Sequence, residues 1–214
     1  MTAMRRLPIL ASGLALLLAA GCTQTEGGTP AAETPSAATS GTADSPADEV
    51  PVVTEPLDPS AYLDDPCRLA PQAVLANLGF EKPGETQNEA NNSATELTGP
   101  GCSWSNRGSA EMIAIGVQTE ARKDGPGGLR HGYQLYTSGE WFGFWEFTTV
   151  DDYPAAYADV DDRRDRGQCN LMVGIADDLS FYVAASGYFD EPDKACESAH
   201  SVAGAVIDTL KGGS

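Results

Sequence analysis

Cys169-Asn170-Leu171-Met172-Val173-Gly174-Ile175-Ala176-Asp177-Asp178-Leu179-Ser180-Phe181-Tyr182-Val183-Ala184-Ala185 reads as two strands joined by a tight turn. Leu171, Val173 and Ile175 alternate with other residues, as do Phe181, Val183 and Ala185, so each run presents one apolar face. Asp177-Asp178 supplies the polar pair that reverses the chain between them. Upstream, Ile113, Ile115 and Val117 form a third alternating run. Downstream, Asp193 is placed as the cap of a long helix. Ala199, Val202, Ala203, Val206, Ile207 and Leu210 recur there at three-and-four spacing until Gly212 ends it. A shorter helix is expected from Pro71, harmless in a first turn, to Leu78, with Val74, Leu75 and Leu78 on one face and Gly79 as its stop. Strands between a short N-terminal helix and a long C-terminal helix give an α+β domain over residues 60–214, long enough for one real core.

The start of the chain carries a different message. Arg5 and Arg6 precede an apolar stretch from Leu7 to Ala20, and Ala19-Ala20-Gly21 forms a small-residue site directly before Cys22. The stretch is shorter than the ~20 residues a spanning helix needs, so residues 1–21 read as a cleaved signal peptide. Cleavage before a cysteine resembles the lipobox of bacterial lipoproteins. That resemblance implies a diacylglycerol on the Cys22 thiol, with acyl chains of the palmitate kind, and a place on the outer face of the cell membrane. Residues 22–59 then lack lysine, arginine and aromatic rings and are rich in Thr, Pro, Ala, Ser and acids, the composition of a disordered tether. Its mean reach is of order 30–35 Å.

The five cysteines support the anchor: setting Cys22 aside leaves Cys67, Cys102, Cys169 and Cys196, an even set in an oxidising compartment. Three pairings are possible. Cys67 with Cys102 and Cys169 with Cys196 is the preferred one, because Cys169 starts a strand and Cys196 starts the last helix, so a bond between them pins helix to sheet. Each bridge closes a loop of roughly 30 residues, worth about 3.5–4 kcal/mol in the chain-entropy account. The scattered cysteines lack a C-x-x-C pair, and only His131 and His200 could join them, so no metal is expected. Against 31 acidic residues stand 13 Lys and Arg, a formal net charge of −18. That excludes nucleic acid as a partner and leaves the lipid on Cys22, not a basic patch, as the hold on the membrane.

Asp65-Pro66-Cys67, Gly101-Cys102-Ser103-Trp104, Tyr153-Pro154-Ala155, Cys169-Asn170-Leu171-Met172-Val173 and Cys196 on the closing helix fall in an order that resembles the actinobacterial DUF3558 lipoproteins. The resemblance covers about residues 60–211. It implies a secreted α+β domain with a mainly antiparallel sheet, similar in outline to the Mog1/PsbP-like folds. No activity, cofactor or catalytic residue comes with it.

The chain shows no G-x-S-x-G elbow, no S-x-x-K and no free cysteine after pairing, so a nucleophilic enzyme is not expected. His131 is expected in a glycine-rich turn and His200 in the last helix, neither beside a catalytic signature. Asp159-Val160-Asp161-Asp162-Arg163-Arg164-Asp165 looks superficially like a calcium loop, but Arg163 and Arg164 stand where an oxygen ligand and a glycine belong. It reads as a solvated turn with internal ion pairs. Asp151-Asp152 reads as loop chemistry, and Gly125-Pro126-Gly127-Gly128 lacks the residues of a phosphate loop.

One run is less ordinary. Trp141-Phe142-Gly143-Phe144-Trp145-Glu146-Phe147 puts five rings into seven residues, more than one face of a strand can hide. As a strand it would show Trp141, Trp145 and Phe147 on one side and Phe142, Phe144 and Glu146 on the other. Two-sided burial is one explanation. The other makes Trp141, Phe142, Phe144 and Trp145 a contact surface for an envelope protein or a small apolar or sugar ligand. The sequence therefore points to a lipid-anchored, non-catalytic binding module, with an envelope hydrolase or a structural or regulatory lipoprotein as the alternatives.

Overall fold

The computed structural model describes residues 49–106 and 108–212; the expected signal peptide, Cys22 and the tether up to residue 48 lie outside them. Seven strands form one antiparallel sheet: β1 (Glu85–Gln87), β2 (Gly101–Ser105), β3 (Met112–Val117), β4 (Phe144–Val150), β5 (Tyr153–Asp159), β6 (Cys169–Ala176) and β7 (Leu179–Ser186). Their spatial order is β1-β2-β3-β7-β6-β5-β4. A meander β1-β2-β3 therefore meets a second, β4-β5-β6-β7, along the β3–β7 seam. Among the described residues, five α-helices accompany them: α1 (Gln72–Asn77), α2 (Thr95–Thr98), α3 (Ala121–Asp124), α4 (Gly128–Thr137) and α5 (Asp193–Leu210).

The expected hairpin sits inside the sheet, with Leu171 opposite Val183 and Val173 opposite Phe181. Asp177-Asp178 makes its turn. At the β4–β5 turn, Asp151 and Asp152 both adopt left-handed backbone, φ 46° and 69°, the conformation that matches the right-handed twist of a two-residue hairpin. Alternation then separates the faces. The row Cys102, Ile115, Val183, Leu171, Tyr157 runs across five strands on one face. It joins Phe181, Val173 and Ile113 in the principal core. Across this face lies α5, burying Ala199, Val202, Ala203, Val206 and Ile207 as its spacing requires. The helix starts one residue earlier than expected: Pro192 is its N-cap and Asp193 lies in the first turn.

Two disulfides, Cys67–Cys102 and Cys169–Cys196, fasten the edges of this layer. The first ties the turn Pro66–Leu69 to β2, and the second ties the start of α5 to the start of β6. The preferred pairing is thus the observed one, with the bonded cysteines 35 and 27 residues apart in sequence.

Two expectations are corrected. Residues 49–59, expected in the tether, lie against the domain: Leu57 N–H donates to the Ile175 carbonyl at 2.8 Å, Val53 N–H to Asp177 Oδ1 at 3.1 Å, and Tyr153 O–H to the Glu55 carbonyl at 3.0 Å. Val50 is buried. Few but well-placed apolar residues, Val50, Val53 and Leu57, outweigh the polar composition around them. His131 is not in a turn but in α4. The glycines before it do bend the chain, with φ +68° at Gly127 and +59° at Gly128, and a Cβ on either would stand within 2.6 Å of a carbonyl oxygen of Asp177 or Asp178. They let the helix start tight against the β6–β7 turn, where Arg122 pairs with Asp178 at 2.8 Å.

Candidate binding cleft

The second face of the sheet is covered only in part. Its long row is Gln87, Gly101, Gly116, Tyr182, Met172, Ala156, Phe147, one residue from each strand. Glycine stands on β2 and β3, whereas Tyr182, Met172 and Phe147 put large side chains on β7, β6 and β4. Tyr182 lies flat over Gly116, where a Cβ would come within 2.4 Å of its ring, and burial pushes its hydroxyl pKa up. Over the β4–β6 half sits α4, whose Leu129 and Tyr133 are buried with Val50, Trp145, Ala156, Ala158 and Met172. A close approach makes this possible: a Cβ on Gly132 would be 2.8 Å from Trp145 Cη2.

This arrangement divides the aromatic run. Trp145, 9% exposed, is the hub of a ring cluster, with Tyr133, Tyr136, Phe142 and Phe147 at centroid distances of 5.7, 6.3, 5.7 and 5.8 Å. Its indole N–H is buried without an acceptor among the described residues, an arrangement that costs about 1–3 kcal/mol. Tyr133 donates to Glu49, and that bond holds its pKa above the usual tyrosine value. Phe144 points to the other face, under the Arg164 guanidinium at 4.7 Å. Arg164 also pairs with Glu146 at 3.0 Å and Asp162 at 2.8 Å, and Arg163 with Asp161 at 3.1 Å. The acidic run is therefore a turn with internal ion pairs. β4 begins only at Phe144, so Trp141 and Phe142 belong to the approach and not to the strand.

Trp141 and Phe142 meet α2, Gln118–Ala121 and α4 around a cleft of about 360 Å³ whose floor is Met172. Leu97 and Leu135 complete its apolar walls. Trp141 is 63% exposed and Leu97 73% exposed, two large apolar side chains on a surface where single ones are ordinary but two lining one cleft are not. Depressions of about 450 and 610 Å³ elsewhere expose less apolar surface. The polar lining consists of Thr98, Gln118, Glu120 and His131. Ser180 O–H donates to Gln118 Oε1 at 3.0 Å, which fixes the amide. Among the described residues, the Gln118 side-chain N–H2 and the His131 imidazole have no partner. Glu120 pairs with Lys123. An apolar cleft of this size with a few fixed polar groups is the usual form of a small-ligand site.

Of the four ring residues expected at a contact surface, the structure brings Trp141 and Phe142 to the cleft and withdraws Phe144 and Trp145. Leu97, Leu135, Met172, Gln118 and His131 were missed as site residues. Leu129, Tyr133 and Tyr136 at i, i+4 and i+7 could have revealed the wall helix. Among the described residues, no three of His, Cys, Asp and Glu are placed to hold a metal ion, and no helix is long and apolar enough to cross a membrane. No curated protein and no solved structure matches the chain. The family described as "Protein of unknown function (DUF3558)" matches residues 17–209, and with nearly the whole sequence covered, the chain belongs to the DUF3558 family.

Proposed function

We propose that this protein is an exported lipoprotein, held by Cys22 on the outer face of a cytoplasmic membrane in an actinobacterial envelope, and that its domain is a non-catalytic module binding through the cleft. The observation that carries the binding role is the exposed pair Leu97 and Trp141 at the mouth of an apolar cleft on the half-covered sheet face. Arg5-Arg6, the short apolar stretch and Gly21-Cys22 support the anchor, as does a family match that begins at residue 17 and so takes in Cys22. An even set of paired cysteines supports an oxidising compartment.

Two measurements test this. Cys22→Ser should move the protein from the membrane fraction to the soluble fraction, and an unchanged distribution would remove the anchor. In-cell crosslinking should recover a defined partner or ligand with wild type and lose it with Trp141→Ala. Recovery unaffected by that substitution would remove the cleft.

A further inference from the structure

Resting on the reading of the cleft as the contact surface, we infer that its ligand is a single acyl chain carried by a neutral ester or amide head. Leu97, Leu135, Trp141, Phe142 and Met172 line the slot with flexible or flat apolar side chains, and none of them offers a hydrogen bond except the Trp141 indole. Such walls suit methylene groups better than a hydroxyl-rich sugar. At about 360 Å³ the space lies near the low end of small-ligand sites, room for one chain and not for a multi-chain lipid.

The polar groups set the head. Gln118 presents an unpartnered N–H2 and His131 an unpartnered imidazole, both donors that a carbonyl oxygen satisfies. Among the described residues that line the cleft there is no Lys or Arg, and the chain carries a formal net charge of −18, so a carboxylate or phosphate head lacks the counterion that an ester or amide does not need. The same charge opposes docking of a whole anionic bilayer surface. The ligand therefore enters as an individual molecule.

Chain geometry places a supply within reach. The described chain begins at Glu49, hydrogen-bonded to Tyr133 of α4, the helix that also walls the cleft. Under the proposed anchor, Cys22 precedes Glu49 on the same chain, and a bilayer of acyl lipids holds the protein.

The test uses the full mature chain with Cys22→Ser, titrated with monopalmitoylglycerol below its aggregation concentration and followed by tryptophan emission. Trp104 and Trp145 are buried and Trp141 is exposed, so a shift reports the cleft. The expected result is a saturable blue shift, at least tenfold weaker with palmitate anion. It should also be at least tenfold weaker in Leu97→Glu, a surface change that leaves the denaturation curve in place. Absence of saturation, equal binding of the two amphiphiles, or a shift indifferent to Leu97→Glu would each overturn the inference. A photoreactive residue at position 141, tested in cells, separates the failures. If it captures a defined protein while the acyl probe fails, the cleft reading stands and the acyl inference falls; if both fail, both fall.

Discussion

On one face of the sheet, Val183 and Leu171 are fully buried beneath α5 and Cys102 and Ile115 beneath the turn Pro66–Leu69, and both disulfides lie at the margins of that layer. On the other, Gly101, Gly116, Tyr182 and Met172 occupy the adjoining row, and α4 crosses only the half nearest β4. Both faces come from the same strands, one residue out of phase. The first is made of branched and aromatic side chains that interdigitate with a helix. The second uses small residues as a shallow floor and concentrates its rings at one end. Packing density explains the first face completely. On the second, exposed Trp141 and Leu97 remain outside any packing account, and that remainder is where a ligand is expected.

The contrast yields graded outcomes. Phe181→Ala, in the closed face, should destabilise by about 3–5 kcal/mol in a denaturant titration. Replacing both Cys169 and Cys196 by Ala should cost about 2–4 kcal/mol and loosen α5 from β6, visible as faster amide exchange in that helix. Gly132→Leu should cost about 1–3 kcal/mol, because the side chain must displace Trp145 or lift α4, and a red-shifted Trp145 emission should accompany it. Trp141→Ala should change stability by less than about 0.5 kcal/mol while abolishing ligand capture. A cost like that of Phe181→Ala would mean the two faces are packed alike.

The smallest effect concerns the ion-paired turn. The Arg164 guanidinium beside Asp162 holds its carboxyl below the usual carboxylate range. A depressed pKa stabilises above the ordinary value, and that stability is lost as pH falls through the depressed one. Asp162→Asn should therefore be slightly less stable than wild type at neutral pH, with the gap closing below about pH 4.

Alternating Leu171, Val173, Ile175 and Phe181, Val183, Ala185 made the central hairpin legible, because a period of two has one meaning when a turn pair separates the runs. The heptad-like spacing of α5 was legible for the same reason, and with it the bridge from Cys196 to Cys169. By contrast, Gly127, Gly128 and Gly132 hid α4: glycine signals a turn in sequence, whereas here it permits close approach to Asp177, Asp178 and Trp145. The segment 49–59 was hidden by composition, since its three apolar anchors are diluted among prolines and acids. Of the cleft residues, Trp141 and Phe142 were legible as part of an excess of rings, and the aliphatic and polar ones were not. Which rings stay exposed depended on β4 starting at Phe144, a boundary set by pairing with Asp159 and not by local sequence.

On the proposed reading, the half-covered face meets the ligand and the closed face does not. A photoreactive residue placed in cells at position 141, beside the cleft, and separately at position 208, on the exposed side of α5, tests it most directly. Adducts from position 141 alone are predicted. Equal adducts from both positions, or adducts from position 208 alone, would contradict it.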